Sequence, residues 1–212
     1  MVKVSEVIRL LKKQYPNATI ALKYGNNFQL LVAVILSAQC TDERVNKVTP
    51  VLFKRFSTVE DFAGCDILEL EKLIYSTGFY KNKAKNIRAA AVKVVKDFGG
   101  KVPDNMKDLL TLPGVARKTA NVILFEAFGK TEGIVVDTHV ARISGLLGLV
   151  SKKLSEAKNA VKIEERLMEL VPKKDWGNIA YLFIDHGRAI CVARRPKCEI
   201  CPLNKICPSS RV

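Results

Sequence analysis

The sequence predicts an all-α fold, because apolar residues recur at helical spacing through most of its 212 residues. Residues 4–14 carry an apolar stripe, and residues 28–37 are apolar almost all round, as in a buried central helix. Residues 80–98 form a basic helix that Gly99 stops, and residues 155–171 place apolar side chains on one face. No convincing period-two run appears. Further helices are predicted over residues 66–75, 104–111, 117–128 and 175–190, and from residue 137 onward.

The charge of the chain favours a polyanionic partner. Lys and Arg number 35 against 21 Asp and Glu, which gives a net charge of +14. A folded protein this basic usually meets nucleic acid or an anionic membrane, although a merely solvated basic surface is the alternative. No apolar run is long enough to span a bilayer, and the N-terminus does not resemble a signal peptide. We therefore expect an intracellular protein, in the cytoplasm or nucleoid, with no membrane partner.

Four cysteines near the C-terminus follow the spacing C-x6-C-x2-C-x5-C, which is compact enough to surround one metal centre. Structural zinc and a [4Fe–4S] cluster are both compatible with four thiolates. Zinc ribbons usually join two C-x2-C pairs, and a single pair with wider outer loops favours the cluster. Cys40 and Cys65 are interpreted as small buried residues in helical surroundings. The predicted ligands are Cys191, Cys198, Cys201 and Cys207.

The loop between the first two predicted ligands is strongly basic. Arg194, Arg195 and Lys197 lie within six residues that a metal centre would hold in place. A preordered loop loses little entropy on contact, so these side chains are predicted to bind phosphate. The alternative is that they only keep the tail soluble.

The segment LLTLPGVARKTA predicts two helices joined by a tight turn. Gly114 supplies the positive φ that such a turn often needs, and the helix that starts near Arg117 offers free N–H groups to a phosphate. Lys118 lies in its first turn, where the helix dipole, aided by any burial, would favour a neutral and nucleophilic amine. A surface lysine is the default alternative. Asp137, in VDTHVAR, is either a helix N-cap or a carboxylate facing a cleft.

These segments together resemble one family. LPGVARKTANVILFEAFG, VDTHVAR, HGRAICVARRPKCEICPLNKICP, SAQCTD and TGFYKNKAKNI are similar to motifs of the endonuclease III family of helix–hairpin–helix DNA glycosylases, from about residue 5 to residue 208. The resemblance implies two helical domains with the DNA cleft between them. Residues 21–131 would form a six-helix domain with the hairpin, and residues 1–20 and 132–212 an iron–sulfur domain.

The resemblance also implies an activity. The chain would be a monomeric bifunctional glycosylase and lyase that removes oxidised pyrimidines from damaged double-stranded DNA and cleaves at abasic sites. Lys118 and Asp137 would be the catalytic pair, and the four cysteines would hold a [4Fe–4S] cluster. Two alternatives stay open, namely a glycosylase for T or U opposite G, and a non-enzymatic iron–sulfur module that binds DNA.

By the same resemblance, Gln39 fills the gap left by a flipped nucleotide and Phe79 wedges nearby. DNA-binding positions of the hairpin are Gly114, Ala116 and Arg117, and His139 is a pocket candidate. The family hairpin has a second glycine where this chain has Ala116, which would be strained if that position required a positive φ. The resemblance further implies a monovalent cation bound by the carbonyls of Leu110, Leu112 and Val115.

Overall fold

The computed structural model describes residues 2–212, which form two compact units. One unit is Ala21–Lys130, and the other combines the residues up to Ile20 with Thr131–Val212. The described residues contain many helices and no β-strand, which confirms the all-α prediction. In chain order the α-helices are α1 (Val4–Gln14), α2 (Asn27–Leu36), α3 (Asp42–Arg55), α4 (Val59–Gly64), α5 (Ile67–Ile74), α6 (Tyr80–Phe98), α7 (Met106–Leu109), α8 (Arg117–Phe128), α9 (Thr138–Leu146), α10 (Lys152–Glu156), α11 (Ala160–Leu170) and α12 (Trp176–Ala189).

The unit Ala21–Lys130 is built around α2, whose residues from Leu30 to Leu36 are all buried. Helix α8 packs on α2, while α4 and α5 pack on α6. Three aromatic rings fill the core between these elements, with Phe62 centred 5.4 Å from Phe28 and 5.3 Å from Phe56. This packing fixes α8, which follows the turn of the predicted hairpin.

The second unit joins the two ends of the chain. Helix α9 packs against α10 and α12, and α1 lies on α12. Val7 and Leu11 of α1 are fully buried, and the Lys12 ammonium donates a hydrogen bond to Asp175 at 2.6 Å. The N-terminal helix thus shares a core with residues that follow it by well over a hundred positions.

The predicted helix boundaries hold where capping signals are present. Asp66 accepts a hydrogen bond from the Leu68 N–H and starts α5, and Asp137 accepts one from Val140 at the start of α9. Helix α6 ends at Gly99, whose φ of 59° is the left-handed conformation that glycine adopts at little cost.

Two helix predictions are wrong in extent. The single helix expected over 155–171 is interrupted at Lys158, which has a φ of 50°, and Asn159 then caps α11 through the Lys162 N–H. The favourable Asn cap explains the break, which leaves Val161 57% exposed although the apolar pattern had placed it on the buried face. The helix expected over 104–111 is only the single turn α7, begun by the cap Asn105.

The interpretation of Cys40 also needs correction. Cys65 is buried, as expected, just after α4. Cys40, however, is only half-buried and lies in the turn between α2 and α3 rather than in a helix. Its backbone N–H closes this turn on the carbonyl of Ser37. Local hydrophobicity did not reveal that α2 ends at Leu36.

Candidate functional site

The predicted hairpin turn has a conformation that explains its sequence. The Val115 N–H donates to the Leu112 carbonyl at 3.1 Å, and Gly114, the third residue of this four-residue turn, has a φ of 80°. Proline at the second position and glycine at the third are typical of a type II turn. Leu112 and Val115 are buried and anchor the turn. The positive φ expected at Gly114 is confirmed.

Ala116, which replaces a family glycine, is not strained. It is the N-cap of α8 with a φ of −97° and a ψ of 171°, an extended conformation open to any residue. The hairpin therefore needs the flexibility of glycine at Gly114 and not at Ala116.

This contrast predicts opposite tolerances at two neighbouring positions. Gly114→Ala places a Cβ 3.0 Å from the Cβ of Asn86 and forces a side chain into positive φ, so the free energy of unfolding should fall by about 1–3 kcal/mol. Ala116→Gly, the matched control, should lower it by less than about 1 kcal/mol, through the entropy of the unfolded chain. Urea denaturation of both variants measures this difference. Equal losses would contradict the turn geometry described above.

Lys118 and Asp137 lie in different units, each at the start of a helix. Lys118 is the second residue of α8, and its side chain is exposed. Burial, which the sequence left open as an aid to the helix dipole, therefore does not contribute to the reactivity of the amine. Its position at the positive end of α8 is as expected. Asp137 is half-buried, and its Oδ1 accepts the Val140 N–H at 2.8 Å. The N-cap alternative for Asp137 is thus observed, and it uses one oxygen of the carboxylate.

Gln39 and Phe79 share an unusual backbone conformation. Among the described residues, the non-glycine residues with positive φ are Gln39 at 53°, Phe79 at 48° and Lys158. Gln39 is exposed in the turn after α2, and Phe79 is 64% exposed immediately before α6. Gln39 therefore does not lie on the surface of a helix, and Phe79 is not part of the core. Such conformations store about 1–3 kcal/mol each and tend to occur at functional sites.

The four predicted cysteine ligands line one cavity of about 280 Å³. Its wall is largely apolar and includes Leu146, Ile190 and Leu203, and burial raises the pKa of the Cys191, Cys201 and Cys207 thiols. Within residues 2–212, no group of three or more His, Cys, Asp or Glu is arranged to hold a single metal ion. The four cysteines line one cavity and could hold a metal centre there.

His186 connects the cavity to the N-terminal helix. It is 1% exposed, its Nδ1 lies 3.2 Å from the Tyr15 hydroxyl and its Nε2 lies 3.6 Å from Cys201 Sγ. Burial, with a smaller contribution from Arg142, lowers the pKa of His186 to about 4, which favours the neutral ring. A neutral ring whose Nδ1 accepts a hydrogen bond from the Tyr15 hydroxyl carries its own proton on Nε2 and donates it in a hydrogen bond to the sulfur. Hydrogen bonds to cysteine sulfur are one means by which a protein tunes a cluster.

Arg142 braces the backbone of the first ligand. Its Nη2 donates to the Cys191 carbonyl at 2.8 Å and lies 3.3 Å from Nδ1 of His139. Gly187 leaves room for the side chains of His139 and Arg142, since a Cβ at position 187 would lie 2.5 Å from His139 Nδ1. Burial lowers the pKa of His139, against the opposing charge of Asp137. These contacts give His139 a packing role in the iron–sulfur unit, and its role near a base pocket stays a prediction.

The basic loop is displayed as the sequence predicted. Arg194, Arg195 and Lys197 are all exposed, and the loop closes where the Lys197 N–H donates to the Ile190 carbonyl at 3.0 Å. The side chains are therefore available to solvent and to a ligand. Sequence reasoning missed Tyr15, which lies in no quoted motif. It also gave no role to Arg142, the last residue of VDTHVAR, or to His186, the first residue of HGRAICVARRPKCEICPLNKICP.

Comparison with known proteins agrees with this arrangement. Residues 32–173 match the family model of the HhH-GPD superfamily of base excision DNA repair proteins, and residues 191–207 match the iron–sulfur binding domain of endonuclease III. Endonuclease III of Synechocystis is 54% identical over 209 residues, which cover 99% of this chain and 93% of the relative. The chain belongs to the endonuclease III family. Family membership establishes a bifunctional base excision repair glycosylase with lyase activity that acts on DNA and holds a [4Fe–4S] cluster.

Solved structures support the same assignment. A trapped endonuclease III–DNA covalent intermediate superimposes with a TM-score of 0.90 at 40% identity, covering 99% of this chain and 97% of that one. A thermostable thymine-DNA glycosylase gives a TM-score of 0.86 at 25% identity, covering 98% and 96%. No helix within residues 2–212 has the length and apolar character required to cross a membrane. The four cysteines that line the cavity all lie within residues 191–207, the segment that matches the iron–sulfur binding domain.

Proposed function

We propose that this protein excises oxidised pyrimidines from double-stranded DNA and then cuts the strand 3′ to the abasic site, with Lys118 as nucleophile and Asp137 as the stabilising carboxylate. The observation that carries the proposal is Lys118, which lies exposed in the first turn of α8 directly after the hairpin turn. A bifunctional enzyme needs an amine, and Lys118 is placed where backbone N–H groups also attract DNA phosphate. The alternative of a non-enzymatic iron–sulfur module gives Lys118 no task.

The damaged nucleotide must leave the base stack before an amine can reach its sugar. In our proposal Gln39 occupies the vacated space and Phe79 wedges beside it, because both are exposed and held in a strained conformation. Aromatic and apolar side chains are suited to separating stacked bases. The hairpin positions Gly114, Ala116 and Arg117 would contact phosphate.

The proposed chemistry uses one lysine twice. The neutral Nζ of Lys118 forms a bond to C1′ while the bond from C1′ to the base breaks, and the base leaves with that electron pair and gains a proton. The transition state is cationic at the sugar, so the charge of Asp137 stabilises it, as carboxylates do in glycosidases. Opening of the sugar ring gives an iminium ion, which acidifies the C2′ hydrogen. Loss of that proton expels the C3′ oxygen with its phosphate, and water then releases Lys118.

The C-terminal tail is proposed to hold DNA rather than to react with it. When bound, the cluster supplies a four-point cross-link between cysteine sulfurs. The exposed Arg194, Arg195 and Lys197 then present an ordered positive surface to phosphates of the DNA backbone. In this proposal the DNA that they bind is the chromosome, in the nucleoid. A monovalent cation at the carbonyls of Leu110, Leu112 and Val115 also remains a proposal.

Borohydride trapping on defined oligonucleotides tests the proposed substrate. Borohydride reduces the iminium ion and leaves a stable protein–DNA adduct. We expect an adduct with duplexes that contain thymine glycol or an abasic site, and a far weaker one with undamaged duplex. Absence of an adduct on both damaged duplexes would overturn the proposal.

A mismatch-specific activity is the second candidate, because a thymine-DNA glycosylase has nearly the same fold. The same trapping panel therefore includes T and U opposite G. Rates on mismatches that exceed those on thymine glycol would favour this candidate, whereas the reverse order supports oxidised pyrimidines.

A further inference from the structure

Lys83 is a buried cation on α6 that the chemistry proposed above does not use. Lys83 lies in the basic motif TGFYKNKAKNI, but unlike a surface lysine it is only 5% exposed. Buried lysines are rare unless their ammonium groups are paired. Burial lowers the pKa of Lys83, and the structure shows which groups compensate for the lost water.

The Lys83 ammonium makes two hydrogen bonds of equal length. Nζ donates to the carbonyl of Leu36 at 2.8 Å and to the carbonyl of Thr77 at 2.8 Å. Leu36 is the last residue of α2, where carbonyls lack partners within the helix and the helix dipole is negative. Thr77 is the last residue of the 3₁₀ helix Tyr75–Thr77, and its carbonyl accepts the second bond.

Each of the two acceptor carbonyls lies a few residues before one of the strained residues. Gln39 follows Leu36 by three residues, and Phe79 follows Thr77 by two. The Lys83 backbone also touches the second segment, since its N–H donates to the Phe79 carbonyl at 3.1 Å. The Lys83 side chain thus connects the backbone just before the Gln39 loop with the backbone just before the Phe79 loop, although the two are far apart in sequence.

We propose that Lys83 is a positioning residue that holds the Gln39 and Phe79 loops in a fixed relation for entry into the DNA stack. A strained conformation persists only where its surroundings determine it, and Gln39 and Phe79 each have a positive φ. A flexible lysine with three donors can satisfy two carbonyls from different elements at once. This inference rests on the roles proposed above for Gln39 and Phe79.

The test compares duplex excision with a reaction that needs no flipping. Lys83→Met keeps the apolar stem and removes the donors. We expect it to lower single-turnover excision of thymine glycol from duplex by about 10- to 100-fold, as small misplacements in enzymes do. The fluorescence of 2-aminopurine beside the lesion, which reports unstacking, should fall in parallel. Cleavage of an abasic site in single-stranded DNA should stay within about twofold of wild type, because no stack has to be opened.

The matched control is Lys96→Met, on the exposed face of α6, which should change none of these signals. Placed in a Gln39→Ala/Phe79→Ala background, Lys83→Met should have no further effect on excision, because it acts through those residues. If Lys83→Met does not fold, Lys83→Gln takes its place. Its amide is one bond closer to the backbone than the ammonium and does not replace both hydrogen bonds, so the same signals should fall by a smaller factor.

The inference is overturned if Lys83→Met excises from duplex at the wild-type rate, if it slows duplex and single-stranded reactions equally, or if its effect persists in the double-alanine background. Inactivity of the wild type on thymine glycol would be a failure of the proposed function instead. The activity of the wild type on thymine glycol therefore shows which of the two proposals has failed.

Discussion

Lys118→Gln is expected to abolish the borohydride-trapped adduct and the strand cleavage, while the protein stays folded and still binds damaged DNA. Glutamine cannot form an iminium ion, so both steps assigned to the lysine are lost together. Lys118 is exposed near the start of α8, and removing an exposed charge away from packed contacts changes the free energy of unfolding by about 0.5 kcal/mol or less. Trapping, gel-shift binding and thermal melting of the same preparation separate chemistry from folding.

The control for this variant is Lys107→Gln, which removes an equal charge from the one exposed position of α7, just before the hairpin. It should lower DNA affinity slightly at low salt and leave the adduct intact. If Lys118→Gln still forms an adduct at the wild-type rate, another amine is the nucleophile, and our assignment fails.

Cys198→Ser is expected to remove the broad absorbance near ~400 nm of a [4Fe–4S] protein and to release the C-terminal tail. The described tail from Cys191 to Val212 buries one hydrophobic side chain, Leu203, so apolar burial alone does not order it. Loss of the cross-link should resemble the removal of a native disulfide, about 2–5 kcal/mol, and lower Tm by about 5–20 °C. Absorbance, thermal melting and limited proteolysis of the tail measure these effects.

Cys40→Ser is the appropriate control, since Cys40 is half-buried in a turn and outside the cavity. Its absorbance and tail protection should match the wild type. Because the basic loop is ordered through the same cysteines, Cys198→Ser should also weaken DNA binding and reduce its dependence on salt. A Cys198→Ser protein that retains the absorbance and binds DNA normally would contradict the assignment of the ligands.

The iron–sulfur site was the part of the function most readable from the residues. Spacing alone predicted that Cys191, Cys198, Cys201 and Cys207 share one centre, and the structure gathers them around one cavity. The spacing favoured a cluster over zinc, and membership of the family established it. The contacts of His186 and Arg142 could not be predicted, because they depend on how α1, α9 and α12 pack.

The residues of the reaction carry weaker local signals. Lys118 by itself reads as a surface lysine, and Asp137 forms the ordinary helix cap that its position suggested. Their assignment to catalysis came from the hairpin motif and the resemblance of the whole chain. The positive φ values of Gln39 and Phe79 have no signature in side-chain chemistry, since neither residue favours that conformation.

Helical periodicity predicted most of the long elements, missed the 14-residue α3, and predicted the short elements poorly. Helices α2, α6 and α12 lie where the apolar pattern placed them. The break at Lys158 was missed because the cap at Asn159 outweighs a pattern that continues through it. The doubt over Ala116 was settled by a backbone angle, which no composition argument could supply.

The shared core of the two chain ends has a consequence for biosynthesis. Helix α1 leaves the ribosome before its partner α12, and the Lys12–Asp175 bond joins residues 163 positions apart. At ~5–20 residues per second, the buried face of α1 waits about 8–30 s for its cover. The unit Ala21–Lys130 has its whole core within one continuous segment and can fold during that interval. The nascent chain therefore exposes the apolar residues of α1 until α12 has emerged, which makes this segment a natural site for a chaperone to bind.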